Sequence, residues 1–456
     1  MSKYYCTRAF DHMQVMDNGN VLPCCPPWID HYTIGNLKVQ SAEEVWNGKK
    51  AQDFRKSILD GSFKYCNAKS CPHLVAKTGP VLKLENIRDE EVVEDIKQNK
   101  ITLDHGPLEI EFTYDRSCNL SCPSCRRKVI VISGEKKKET LELQEKIKNN
   151  FFKDAKIFDI TASGDAFASP VFRKLLQTLK KDDAPNLKFL RILTNGLLVK
   201  KYWDTISDYV KTIPIHISVS VDATEEETYL INRRGGTWEG IHENLKFIGE
   251  LKASGEICSF QTSFVVQQNN FKEMKDFVKM SENYGANYVQ FQIIEPDFIR
   301  DLHYMDYLDE WLEKAIQEKK HPEHKEFLEV LRDDFFDLYP EDSENKKESD
   351  SLVIAMGQLR NLRKGKDISQ YEENLREYEE IKSKREEEKR KREEEKRIQD
   401  GLKLVKKGLL KDIWYKNEVY FINSKDLRKE NGIDVVELPI NETVMWHKDK
   451  KEWVKF

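Results

Sequence analysis

Residues 114–127 read YDRSCNLSCPSCRR. Cys118, Cys122 and Cys125 stand in a C-x3-C-x2-C spacing, directly behind the strand-like run LEIEFT. In a reducing compartment, closely spaced thiols are metal ligands or reactive groups rather than disulfides. Three thiolates can hold three irons of a [4Fe–4S] cluster and leave the fourth iron open to a small molecule. Spacing alone leaves two alternatives: a structural zinc site, which is closed by four ligands, and a ferredoxin-type cluster with four cysteines. No fourth ligand lies within reach of the triad in the local sequence.

Outward from the triad, short β-branched and aromatic runs alternate with amphipathic stretches. AKIFDITASGD, LKFLRILTNG, IPIHISVSVDA, ICSFQTSFVVQ and NYVQFQIIEP follow LEIEFT, and several end in Gly, Asn, Asp or Ser. Six strands alternating with helices predict a parallel α/β sheet. Such folds place their chemistry at the C-terminal ends of the strands, which is where these polar residues fall. After Pro296 the pattern turns helical, and REEEKRKREEEKR at 385–397 carries i,i+4 pairs such as Glu387 to Lys391 with no apolar seam, as in a solvated single helix. An aromatic-rich end predicts a small β unit.

Composition narrows the class. The chain has 456 residues and a net charge of −5, which argues against nucleic acid as the main partner. No apolar run is long enough for a membrane span and no signal peptide opens the chain, so a cytoplasmic protein is expected. Of nine cysteines, Cys6, Cys24, Cys25, Cys66 and Cys71 cluster near the start, three form the triad, and only Cys258 stands apart, as expected of a packed core thiol at the strands' N-terminal end.

The triad, placed behind the first strand of a β/α series, resembles the radical S-adenosylmethionine (SAM) superfamily. The resemblance runs over roughly 200 residues, from Leu108 to Pro296. It implies a partial (β/α)6 TIM-like barrel. It also implies a SAM-binding [4Fe–4S] cluster on Cys118, Cys122 and Cys125, which cleaves SAM reductively to a 5′-deoxyadenosyl radical. ASGD resembles the turn that meets the SAM amino group, giving Ser163, Gly164 and Asp165; SVSVDA resembles a ribose-binding segment, giving Ser220 and Asp222. INRRGG resembles the stretch whose arginine meets the SAM carboxylate, giving Arg233 with Arg234 as fallback, and Asn195 is a SAM or substrate contact. Ser124 stands where many members have an aromatic residue beside the adenine.

The first 80 residues, with GNVLPC, IGNL, VWN and a closing C-x4-C, resemble a SPASM or Twitch auxiliary-cluster domain. Gly19 permits a hairpin that brings Cys24 beside Cys6. The resemblance implies an auxiliary [4Fe–4S] cluster on Cys6, Cys24, Cys66 and Cys71, with a small zinc site as the alternative, and Cys25 left over. The expected organisation is 1–80 auxiliary domain, 81–107 linker helix, 108–300 radical SAM barrel, 301–370 helical extension, 371–400 charged helix and 401–456 small β segment. Implied partners are a low-potential electron donor such as flavodoxin or ferredoxin and a small-molecule or peptide substrate.

Three functions compete. SGDAFAS after an N-terminal auxiliary module resembles a subgroup that modifies sugars, including a carbohydrate epimerase, and this reading is preferred. There Cys25 would be catalytic, returning hydrogen to the face opposite the SAM. The second is a maturase of ribosomally made peptides, for which the chain start leaves no leader-binding domain. The third is an iron–sulfur electron-transfer or sensing protein without SAM chemistry. Minor candidates are Gln267, Asn269 and Asn270 beyond the fifth strand, Trp28 and Asp30 beside Cys25, and His321 and His324 as solvated residues at a helix start.

Overall fold

The computed structural model describes residues 3–68, 71–161, 163–294, 313–340 and 352–366, residues 383, 387, 390 and 391, and four strands between 427 and 455. The chain divides into two compact units, residues 1–371 and 372–456.

In the first unit, β1 (Tyr4–Cys6) leads through α1 (Arg8–Asp11) into β2 (His12–Met16), β3 (Asn20–Leu22) and β4 (Gly35–Asn36). The β2–β3 turn needs Gly19, whose φ of +86° is left-handed and whose Cβ would meet Lys38 at 2.6 Å. Three helices follow: α2 (Ala42–Trp46), closed by a Ser41–Glu44 capping box, α3 (Lys49–Leu59) and α4 (Pro72–Ala76). β5 (Val81–Lys83) pairs antiparallel with β1, and α5 (Glu90–Lys97) comes next. The stretch expected as a linker helix therefore opens as a strand, because VLK supplies a partner for the exposed edge of β1.

Then the β/α series begins: β6 (Glu109–Thr113), α6 (Gly134–Phe151), β7 (Ile157–Ile160), α7 (Pro170–Thr178), β8 (Phe189–Thr194), α8 (Val199–Tyr202), α9 (Asp208–Lys211), β9 (Ile215–Ser220), α10 (Glu226–Asn232), α11 (Trp238–Ser254), β10 (Ser259–Val266), α12 (Met274–Asn283) and β11 (Tyr288–Ile293). β6 to β11 lie side by side in chain order, all parallel, as the six strands of a partial (β/α)6 barrel. Helix ends are set locally. Ser169 caps α7 through the N–H groups of Val171 and Phe172, with Pro170 at the first helical position. Gly255, at φ +81°, closes α11.

The helix-facing side of the sheet is a dry aromatic core. Phe112, Tyr114, Phe152, Phe158 and Phe172 stack with ring centroids 4.6 to 6.3 Å apart, and all are buried. Each such ring stabilises the fold by roughly 1.5–3 kcal/mol through burial.

Two elements extend this sheet beyond expectation. β2 pairs parallel with β6, His12 beside Glu109 and Met16 beside Thr113, so the N-terminal hairpin continues the barrel sheet. In the region expected to be helical, α13 (His324–Leu331) is followed by β12 (Val353–Ala355), which adds parallel to β11, and by α14 (Leu359–Arg363). The result is a ten-stranded sheet. His324 is buried, with Nδ1 3.0 Å from the Ile316 carbonyl, rather than solvated. Cys258 is exposed rather than packed: it precedes β10 at the strands' N-terminal edge, its thiol donating to the Ile215 carbonyl at 3.1 Å.

The second unit holds a four-stranded antiparallel meander, β13 (Leu427–Glu430), β14 (Ile433–Glu437), β15 (Thr443–His447) and β16 (Glu452–Lys455), as the expected small β unit. Most of 371–400 lies outside the described residues; the Glu387–Lys391 pair is made at 2.8 Å. Among the described residues no helix is long and apolar enough to cross a membrane.

Candidate iron–sulfur and SAM site

The loop leaving the C-terminal end of β6 folds back on itself. Cys118 bridges to Ile130, and Cys122 accepts backbone hydrogen bonds from Cys125 and Arg126 in a tight turn. Cys118, Cys122 and Cys125 pack in one small cluster with Leu120 and Leu197. Nitrogen donors surround their sulfurs: Leu120 N–H at 3.5 Å and Asn195 Nδ2 at 3.6 Å on Cys118, Arg233 Nη1 at 3.8 Å on Cys122, and Arg126 Nε and Nη2, both at 3.4 Å, on Cys125. Burial pushes the Cys118 thiol up to about 11, Asp165 adding to it, and burial also raises Cys122. Buried thiols ringed by N–H donors, two of them cationic, suit thiolates neutralised by iron.

The turn beyond β7 locks onto this loop. A Cβ on Gly164 would sit 2.7 Å from the Asp115 carbonyl and 2.8 Å from that of Ser117. Arg126 ties the two segments, donating to the Arg116 and Ser163 carbonyls at 2.6 and 2.8 Å. Asp165 is the knot rather than a free ligand. Its carboxylate accepts from Phe167 N–H, Ala168 N–H, Thr194 Oγ1 and Asn195 N–H at 2.7 to 3.0 Å. With its lone pairs spent, it positions Asn195 against Cys118 instead of offering its side chain to a SAM amine.

Asp222 is likewise committed. It is fully buried at φ +63°, accepts from Val265 N–H at 2.7 Å, and lies 2.7 Å from Arg233 Nη2. A ribose contact through that carboxylate is therefore replaced by an ion pair beside Cys122. Burial raises the Asp222 carboxyl against the pull of Arg233; burial also opposes the Arg233 cation, but Asp222 and Cys122 hold its pKa above the ordinary value. Asn270 braces Asp222 by donating to its carbonyl at 3.0 Å, and Asn269 bonds Asn232 at 2.9 Å, so both are structural. Around this pair, Arg233 Nε, the Tyr229 hydroxyl and Gln267 Nε2 are buried without hydrogen-bond partners. Unsatisfied polar atoms are rare in a native interior and leave donors here open to a water, an ion or a ligand. Ser220 sits half-buried at the end of β9, and Arg234 binds Ser121 and the Arg127 carbonyl instead of the triad.

A second thiol group gathers at the other end of the sheet. Cys6 ends β1, Cys24 follows β3, and Cys66 and Cys71 precede α4, Cys71 as its N-cap. Their charges reach one another: burial raises Cys6, with Cys24 and Cys66 adding, and lifts Cys66 to about 12, with Cys24 and Cys71 adding. Cys25 is half-buried and caps the 3-10 turn Pro26–Ile29. Asp30 is held by Asn67 at 2.8 Å, and the Trp28 ring packs edge-on against His73. Among the described residues no three Cys, His, Asp or Glu side chains are gathered for a single ion. A polynuclear cluster asks instead for thiols spread around a larger body.

The residues thus arranged match known families at both ends. An iron–sulfur cluster-binding domain, SPASM, matches residues 6–72, and the radical SAM superfamily matches residues 114–281. Residues 114–281 form a radical SAM superfamily domain. A radical SAM domain thus follows an N-terminal SPASM domain, a pairing whose cofactors are [4Fe–4S] clusters and SAM. No curated protein matches it. Among solved structures, Streptococcus suis SuiB bound to precursor peptide SuiA is 14% identical over 58% of each chain, with a TM-score of 0.31. The protein anSMEcpe with bound AdoMet is 20% identical over 58% of this chain and 68% of that one, TM-score 0.38. Methylornithine synthase PylB is 11% identical over 53% and 68%, TM-score 0.27. The chain spans 58% of the length of SuiB.

Sequence reading missed the face of the sheet opposite the aromatic core. Strand register lays Gln14, Glu111, Asp159, Arg191, His216 and Ser259 in one row across six strands. Further rows hold Ser218, Gln261 and Tyr288, then Ser220, Ser263 and Gln290. They are cross-linked: Arg191 bonds Asp159 and, at 2.9 Å, Glu109; His216 Nδ1 lies 2.7 Å from Ser259 Oγ; Gln261 donates to Gln290 at 2.7 Å and Ser218 at 3.0 Å. The Arg191 side chain is 35% exposed and neighbouring Leu193 39%. The signal was present in the alternation of EIEFT, IHISVS and YVQFQI, since central parallel strands covered on both faces read as continuous apolar runs.

Proposed function

We propose that this enzyme abstracts hydrogen from a small, polar, hydroxyl-bearing substrate laid against the polar rows of the sheet, a carbohydrate or similar metabolite, with epimerisation as the outcome. The observation that carries this reading is the hydrophilic, partly exposed face of strands that an α/β fold ordinarily buries in apolar contact. A face of Gln, Ser, Glu, Asp and Arg side chains costs stability unless it hydrogen-bonds something. When bound, the cluster and SAM supply the reductive cleavage that generates the hydrogen-abstracting group. The chain's own residues hold the rest: Arg126, Asn195 and Arg233 direct N–H groups at the sulfurs, and Gly164 lets the second turn pack on the cysteine loop.

Cys25, which follows Cys24 in the chain, is the proposed hydrogen donor. It returns one hydrogen atom to the substrate carbon, and one electron and one proton then restore the thiol. In deuterated water, Cys25→Ala should keep its iron and its 5′-deoxyadenosine formation but lose the deuterated, inverted product. Loss of auxiliary iron instead makes Cys25 a ligand, and an unchanged product removes its role. The substrate class is tested by 5′-deoxyadenosine formation against a panel of free sugars, nucleotide sugars and short peptides. Stimulation by sugars alone, lost in Glu111→Ala and Arg191→Ala, supports the reading; stimulation by peptides alone makes the protein a peptide maturase.

A further inference from the structure

We propose that Arg8 couples the polar face of the sheet to the auxiliary cysteine site, donating to the Cys24 sulfur and setting the reduction potential of the cluster held there. The proposal rests on the reading that Cys6, Cys24, Cys66 and Cys71 hold that cluster.

Arg8 begins α1, two residues after Cys6, and the helix runs directly into β2. Its Nη1 lies 3.8 Å from Cys24 Sγ, and its guanidinium lies 5.4 Å over the Trp28 ring. Glu109 and Glu111 of the polar face are close enough for their charges to stabilise the same cation, alongside Cys24 and Cys6. One guanidinium therefore reaches the Cys24 sulfur and lies in the field of Glu109 and Glu111 as well.

A second link runs beside it. His12, four residues on, is fully buried, with Nε2 3.3 Å from Glu111 Oε2 and Nδ1 3.2 Å from the carbonyl of Pro23, the residue before Cys24. Gln14 donates to the other Glu111 oxygen at 2.9 Å. Gln14 thus fixes one oxygen of Glu111, the other lies beside His12, and the same histidine ring meets the Pro23 carbonyl of the hairpin that carries Cys24.

A cation donating N–H to a ligating sulfur stabilises the more negative, reduced form of a cluster and so raises its potential. Glu109 and Glu111 act in the opposite sense on that cation's field. Whatever engages Glu111 from the substrate side therefore changes the field at Cys24. A purely structural role, the stacking on Trp28, predicts none of this.

The experiment uses the full chain with Cys118, Cys122 and Cys125 replaced by Ala, so that any iron belongs to the auxiliary site. Iron content is measured first; a parent protein that retains no iron refutes the auxiliary-cluster reading itself, before any potential is read. In anaerobic redox titrations followed by electron paramagnetic resonance, Arg8→Met should lower the midpoint. The expected change is about tenfold in the equilibrium constant, about 59 mV for one electron. Arg8→Lys should recover part of it, and Glu111→Gln should move it the other way. Arg8→Met with full iron and an unchanged midpoint overturns the proposal. So does loss of auxiliary iron in both Arg8 variants, because the residue would then serve folding alone.

Discussion

Arg126 makes four hydrogen bonds with one guanidinium, two to the Cys125 sulfur and one each to the Arg116 and Ser163 carbonyls. Nothing in the C-x3-C-x2-C pattern announces it, since an arginine after a cysteine reads as an ordinary surface charge. Hydrogen bonds to charged groups contribute about 1.5–3 kcal/mol each. Arg126→Leu should therefore lower iron retention at the triad during gel filtration while auxiliary iron stays. Equal retention in the variant and the parent would show that the arginine only fills space. His216 offers a pH test. Burial, helped by Arg191, drops its pKa to about 4 from an ordinary value near 6.5. A depressed histidine contributes stability that is present above the unfolded pKa and lost as pH falls through the folded one. Denaturation midpoints should thus fall between pH 6.5 and 4, and His216→Gln should flatten that slope. An unchanged slope would place the acid sensitivity elsewhere.

The turn after β7 shows which parts of the site could be read in advance. ASGD at a strand's end was legible because a glycine there signals close backbone approach, and Gly164 indeed sits against the Asp115 and Ser117 carbonyls. Gly164→Ala should force the turn off the cysteine loop, at about 1–3 kcal/mol for overpacking. The expected result is weaker SAM binding by equilibrium dialysis; wild-type affinity would mean the loop relaxes freely. The side-chain roles were less legible. A carboxylate's partners depend on residues brought from other strands, so neither Asp165 capping the β8 end nor Asp222 pairing with Arg233 follows from local sequence. The six β/α units were readable from periodicity, whereas β12 was not, because a three-residue strand has too little pattern to stand out from a polar, helical neighbourhood. The polar rows were written in the alternation of every strand but gain meaning only once register sets them side by side.

At the scale of the molecule, the sheet separates two cysteine sites: the triad lies beyond the C-terminal end of β6, and Cys6 and Cys24 precede and follow the β2–β3 hairpin toward the other end. α14, with Leu359 and Leu362 buried, completes the first unit, and the second unit divides from it at residue 371. A chain ending at residue 371 should hold about eight irons, four per cluster, and cleave SAM at the parent rate. Unfolding of that truncation would make residues 372–456 part of the core. At the centre of the molecule's chemistry stands the proposed cluster on Cys118, Cys122 and Cys125, with a place for SAM. Its most direct test is anaerobic incubation of the reconstituted full-length protein with SAM and dithionite, measuring 5′-deoxyadenosine by chromatography beside the triple Cys→Ala variant. The account predicts product from the parent, none from the variant, and about half the iron in the variant. No 5′-deoxyadenosine from an iron-replete parent, or equal amounts from both proteins, would contradict it.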